Sequence, residues 1–202
     1  MIADPQETGH KCEKIKIAVS GTADTGFLKQ ESLDLALAIG KEIAHQGAVI
    51  VSGATTGVPL WAAKGAKEAG AMSIGLSPAM NQKEHIEKYG LPIDFMDVIV
   101  YTGNGYPGRD ILMIRTADAV IIGPGRIGTI HEFTVAFEDN KPIGILDSDL
   151  WETDEVIKFI LEKSNRADDN KKIIYDKDPA KLVKRLIELV KTDKADMANK
   201  KF

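Results

Sequence analysis

Glu132 and Arg109 are the two side chains whose type and placing suit them best to chemistry. Glu132 ends the stretch 118–132, D-A-V-I-I-G-P-G-R-I-G-T-I-H-E, in which a continuous apolar run stops at a glycine-rich turn and restarts as a helix. An unbroken apolar run is what a parallel strand covered on both faces requires. Gly123, Gly125 and Gly128 let the backbone turn sharply and approach a ligand closely, and the free N–H groups of the next helix point at whatever sits there. Phosphate is the usual occupant, so the segment sets a carboxylate beside an anion site. Arg109 opens a helix whose following residues, Ile111, Leu112, Met113 and Ile114, are apolar on almost every side. A cation in the first turn opposes the helix dipole, so a ligand anion or a carboxylate partner explains it better than solvent does. Arg115, on the same helix, reads as a pairing residue near the helix end.

Other readings of these residues compete. Thr129-Ile130-His131-Glu132 fits a capping box, with Thr129 as N-cap and Glu132 closing back on its backbone N–H. His131 projects about 100° away from Glu132 on a helix, which favours a structural role. Gly123 to Gly128 also matches G-x-G-x-x-G, with Asp147 at the end of the following strand to receive a ribose hydroxyl, the pattern of a dinucleotide site. Against a nicotinamide oxidoreductase, the unit is not the first β-α-β of the chain, and the length leaves no room for a separate substrate domain.

Composition narrows the possibilities. The chain has 202 residues, 44% hydrophobic and 28% charged, which suits one soluble α/β domain. A net charge of -4 argues against a nucleic-acid surface. No apolar stretch approaches the roughly 20 residues that span a bilayer, so no membrane partner is expected. Residues 1–14 lack the apolar core of a signal peptide, and the single cysteine, Cys12, cannot form an internal disulfide, so a cytoplasmic location is expected. Cys12 and His10 fall short of the ligands a metal needs, and neither a metal nor a cofactor is called for. Residues 1–14 and 192–202 are polar, without apolar periodicity, and are expected to be flexible tails on a domain of residues 15–191.

Periodicity predicts strands over 15–20, 48–52, 72–76, 98–101, 119–122, 142–146 and 172–175. Helical patterns fill the intervals at 31–46, 59–69, 109–117, 129–139, 153–163 and 179–191. Repeated β-α units in one domain imply a doubly wound, mostly parallel sheet with helices on both faces. Where strands pass into helices the loops are rich in glycine: Ser20-Gly21-Thr22, Ser52-Gly53-Ala54-Thr55-Thr56-Gly57, 103–109 and Gly123-Pro124-Gly125. The return connections are short and plain. Ligands in open α/β sheets bind outside the carboxyl ends of the strands. Gly21, Gly53, Thr55, Gly57, Gly125, Arg126, Ile127, Gly128 and Thr129 are therefore the expected phosphate or nucleotide contacts.

These motifs resemble the Lonely Guy (LOG) family of Rossmann-like nucleotide-binding proteins. The family's P-G-G-x-G-T-x-x-E is matched by Pro124-Gly125-Arg126-Ile127-Gly128-Thr129-Ile130-His131-Glu132, and its R-K-x-x-M in part by Arg109-Asp110-Ile111-Leu112-Met113. The resemblance implies hydrolysis of the N-glycosidic bond of a nucleoside 5′-monophosphate, releasing the base and ribose 5-phosphate. Arg109 and Glu132 would be the catalytic pair, and the phosphate would lie on the backbone of residues 125–129. A homodimer is expected, from the resemblance and from the apolar girth of the 111–114 helix. The family's second glycine is Arg126 here, its lysine is Asp110, and the upstream loop carries less glycine. In these departures the chain also resembles the molybdenum cofactor carrier proteins, which bind a phosphorylated pterin without transforming it. The chain therefore reads as a binder of a phosphorylated small molecule. Hydrolysis is the leading expectation and a non-catalytic carrier or sensor the alternative.

Overall fold

Short apolar runs alternating with amphipathic helices assemble into one seven-stranded parallel sheet in the order β4-β3-β2-β1-β5-β6-β7. A computed structural model of the chain describes residues 14–199; Cys12, His10 and nearly all of the expected N-terminal tail lie outside the described residues. The strands are β1 (Lys16–Ser20), β2 (Val49–Ser52), β3 (Ser73–Ser77), β4 (Val98–Tyr101), β5 (Ala119–Ile122), β6 (Ile143–Leu146) and β7 (Ile173–Asp176). The helices are α1 (Gln30–His45), α2 (Val58–Glu68), α3 (Gln82–Glu87), α4 (Gly105–Thr116), α5 (Ile127–Glu138), α6 (Thr153–Lys163) and α7 (Pro179–Asn199).

Alternate residues of the central strands feed two cores. Ile17, Val19, Ile50 and Ile121 face α1, α2 and α7, whereas Ala18, Val51, Val120 and Ile122 face α4, α5 and α6. Both faces are covered, which is why β1, β2 and β5 read as unbroken apolar runs. α1 and α2 approach closely because each has glycine at the crossing: a Cβ on Gly40 would overlap the Ala62 carbonyl, and one on Gly65 the Leu37 carbonyl.

Four differences from the sequence pattern exceed a single residue. α3 was not expected; it is short and polar, but Asn81 caps it by accepting from the Glu84 N–H at 2.9 Å. α4 starts at Gly105 rather than at Arg109, since Pro107 has no N–H to lose in a first turn and suits a helix start. Arg109 thus lies past the first turn, and the dipole argument for it falls away. α5 starts at Ile127, two residues before the expected Thr129. α7 continues to Asn199 where a flexible tail from residue 192 was expected, and its extension is held by Lys172–Asp193 at 2.6 Å and Lys194–Asp118 at 3.2 Å.

The expected self-association helix is also largely satisfied within its own fold, because Met113 and Ile114 are fully buried in the core. Leu112 is the exposed apolar residue of that stretch.

Candidate functional site

The strand order reverses between β1 and β5: from β1 the chain runs outward through β2, β3 and β4, then returns to lay β5 against the other side of β1. At such a switch point the outgoing loops diverge and leave a crevice above the carboxyl ends of the strands. Here the loops are tied together by backbone bonds from Gly123 N to Ser20 O at 2.9 Å, Thr22 N to Pro124 O at 2.8 Å and Val58 N to Thr22 O at 2.9 Å. Above them opens a cavity of about 640 Å³.

One wall is the N-terminus of α5. Arg126 is the N-cap and makes no side-chain capping bond, so the first N–H groups of the helix have neither an intrahelical partner nor a side-chain cap. Ile127, Gly128 and Thr129 line the cavity at this end. This is the geometry of an anion site. The capping-box reading is excluded: with the helix starting at Ile127, Thr129 sits inside its first turn, and both Glu132 oxygens have other partners.

Glu132 is buried on the next turn. Its Oε2 accepts a short hydrogen bond from Ser20 Oγ, and its Oε1 lies 3.3 Å from Arg109 Nη1. Arg109 reaches it from α4, with Nη2 at 3.4 Å from Asp110 Oδ1, Nη1 against Met113 Sδ at 3.5 Å and Nε buried without a partner among the described residues. Asp110 in turn faces His131 Nδ1 at 3.0 Å. One buried guanidinium therefore serves two buried carboxylates. Burial raises the Glu132 pKa to about 7; Arg109 pulls it down and Asp110 pushes it up. Near neutral pH this carboxyl lies close to the midpoint of its titration. His131, expected to be structural, touches the site through this contact with Asp110.

Gly21, Thr55, Arg126, Ile127, Gly128 and Thr129 line the cavity together with Arg109 and Glu132. Gly53, Gly57 and Gly125, also expected to contact the ligand, do not line it, and each serves the site indirectly. Gly53 makes room for the Arg109 guanidinium, which a Cβ would overlap. Gly57 caps α2 with φ +70, where a side chain would be strained and would meet the Thr22 and Ala23 carbonyls. Gly125 leaves space for the Thr129 side chain, and its N–H is taken by Thr153 Oγ1 at 2.8 Å, so the anion surface begins after it rather than at it. Thr153 also donates to the Gly125 carbonyl at 3.1 Å, closing the turn from α6.

Arg126 does not stand over an empty anion site. Its Nη2 lies 2.7 Å from Asp24 Oδ2, and its guanidinium stacks 5.1 Å above the Phe27 ring. Asp24 is held ionised by the Gly26 N–H first and by Arg126 next, so its pKa lies below the usual carboxylate range. Sequence reasoning missed Asp24, Ser20, Tyr106 and Thr153. Tyr106 was readable as an aromatic in a glycine-rich loop; Asp24 and Thr153 acquire their roles only through partners far along the chain.

A parallel sheet with a helix N-terminus at its switch point defines a Rossmann-like fold. The model of the SLOG cluster4 family matches residues 14–183, and the chain belongs to that family. The molybdenum cofactor binding protein of the phototrophic bacterium Rippkaea orientalis is 27% identical with a TM-score of 0.70, covering 91% of this chain and 99% of that one. The molybdenum cofactor carrier protein of Chlamydomonas reinhardtii is 26% identical with a TM-score of 0.69, over 89% and 99%. DNA processing protein A of Helicobacter pylori, whose structure concerns single-stranded DNA binding, shares the fold at 24% identity and a TM-score of 0.55, over 90% and 81%. A protein of Archaeoglobus fulgidus is 30% identical over 132 residues, 65% of this chain and 82% of that one. No described helix is long and apolar enough to cross a membrane.

Proposed function

We propose that this protein binds a phosphorylated heterocyclic ligand, of nucleotide or pterin kind, and holds it without turning it over. The observation that carries this reading is the uncapped N-terminus of α5 opening into the cavity while the buried charges beside it, Arg109, Asp110 and Glu132, are already paired with one another. Helix N–H groups supply phosphate binding, and a closed charge network leaves little free to activate water. Likeness to a molybdenum cofactor binding protein and to a molybdenum cofactor carrier protein, over almost the whole length of each, supports a carrier role. The net charge of -4 supports a small-molecule ligand over a polynucleotide.

One observation favours a second reading, hydrolysis of a nucleoside 5′-monophosphate. Glu132, with its pKa near 7 and Arg109 at 3.3 Å, is a proton-exchanging carboxyl in the cavity wall. Incubation with a panel of nucleoside monophosphates and a phosphorylated pterin, followed by recovery of the ligand and assay of ribose 5-phosphate, separates the two. Intact ligand retained by the protein is expected; release of ribose 5-phosphate would establish the hydrolase.

The reading includes a homodimer. Val98 and Val100 of edge strand β4 are about half exposed and pair in register with Ile74 and Leu76, so they share the sheet face of α4, whose Leu112 is also exposed. Sedimentation at micromolar concentration should give about twice 22.0 kDa.

A further inference from the structure

A second cavity, of about 460 Å³, lies on the other side of the α5 N-terminus. Phe27, Ile130, Leu150, Trp151 and Val156 line it, and it shares Arg126 and Ile127 with the first cavity. The two cavities therefore meet along a ridge made by the start of α5. Ile127, on that ridge, is 83% exposed, and Phe27 and Val156 at the groove's edges are 49% and 42% exposed. Large apolar side chains grouped around a concave surface are the mark of a ligand groove rather than of scattered surface residues.

Charge is distributed along the two cavities in a definite order. The ridge carries the uncapped N–H groups of α5 and the Arg126 guanidinium, so its centre is positive. The first cavity has the exposed Asp24 in its wall, beside the paired Asp110 and Glu132, and the groove has Glu152. Carboxylates placed on both sides of a cationic ridge suit a ligand with its anion in the middle and hydroxyl donors at both ends. Arg126 is available for such an anion, because its partner Asp24 is 54% exposed and an exposed ion pair is readily exchanged.

Resting on the reading of the α5 N-terminus as a phosphate site, we propose that the ligand is of dinucleotide type. Its two ring systems are joined by a diphosphate that crosses the ridge, with one ring in each cavity. Arg126 clamps the diphosphate, Phe27, Ile130, Trp151 and Val156 enclose the second ring, and Glu152 accepts from the second sugar. Asp147 lines neither cavity, so Glu152 takes the place of the carboxylate expected at the end of β6.

Titration calorimetry with AMP, ADP and NAD tests this on the native protein and on two groove variants, Val156→Asp and Leu150→Ser. ADP controls for the diphosphate and NAD adds the second ring. NAD should bind native protein at least about tenfold more tightly than ADP, and each variant should lose that excess while AMP affinity stays within about twofold, which also reports that the variant is folded. NAD binding no tighter than ADP, or an excess that survives both variants, overturns the dinucleotide assignment and leaves the phosphate site standing. Failure of all three ligands to bind overturns both.

Discussion

Gly53 and Arg109 occupy one space: the guanidinium lies where a Cβ on Gly53 would be. The glycine at the end of β2 is thus required by an arginine from α4, and through it by Glu132. Gly53→Ala should push the guanidinium off Glu132 and strain a packed site, at a cost of about 1–3 kcal/mol. Calorimetry should show AMP affinity reduced at least tenfold, with a lowered Tm in thermal unfolding. Unchanged affinity would separate Arg109 from ligand binding.

Glu132 links stability to pH. Its folded pKa of about 7 lies above the ordinary 4.5, so the folded state keeps a proton that the unfolded chain gives up. This group's contribution is fully present below about pH 4.5 and is lost as pH rises through 7. Glu132→Gln cannot ionise, so its Tm relative to wild type should rise by a few degrees between pH 5 and pH 8. A constant difference across that range would place the Glu132 pKa near its ordinary value.

Arg126 and Asp24 compete with the ligand for each other. Removing the competitor by Asp24→Asn should tighten phosphate binding severalfold, because the exposed pair is weak but must still be broken for Arg126 to reach the ligand. Arg126→Gly should weaken it by about tenfold, the scale of one charge-assisted hydrogen bond. Tighter binding in Arg126→Gly would mean that this side chain obstructs the cavity.

Thr153 closes the turn that precedes α5. Thr153→Val keeps the shape and removes both bonds to Gly125, leaving half-buried backbone groups unpaired at about 1–3 kcal/mol. Thermal unfolding should show Tm lower by roughly 2–10 °C. A native Tm would show that water satisfies the turn instead.

Much of this arrangement is legible in the sequence, and the parts that are not share a cause. β4 and β5 fall on the expected residues because an apolar run bounded by turn residues is a local signal. The placing of the cavity follows from glycine-rich loops gathered at one edge of the sheet. Gly53 and Gly125 were legible as special positions, but the reason for each is a side chain elsewhere, Arg109 and Thr129. Asp24 and Thr153 carry no motif, since their partners Arg126 and Gly125 are brought to them only by the pairing of β1 with β5 and the packing of α6. The start of α4 was misplaced because Gly105 and Pro107 signal a loop as readily as a first helical turn.

The central claim is that α5 presents its N-terminus to a phosphate, and calorimetry with AMP against adenosine tests it most directly. A few charge-assisted hydrogen bonds, offset by association costs, imply a Kd of about 1 μM to 1 mM for the monophosphate. AMP should bind at least about tenfold more tightly than adenosine. Equal affinities would contradict the account, because the N–H groups of Ile127, Gly128 and Thr129 would then hold no anion.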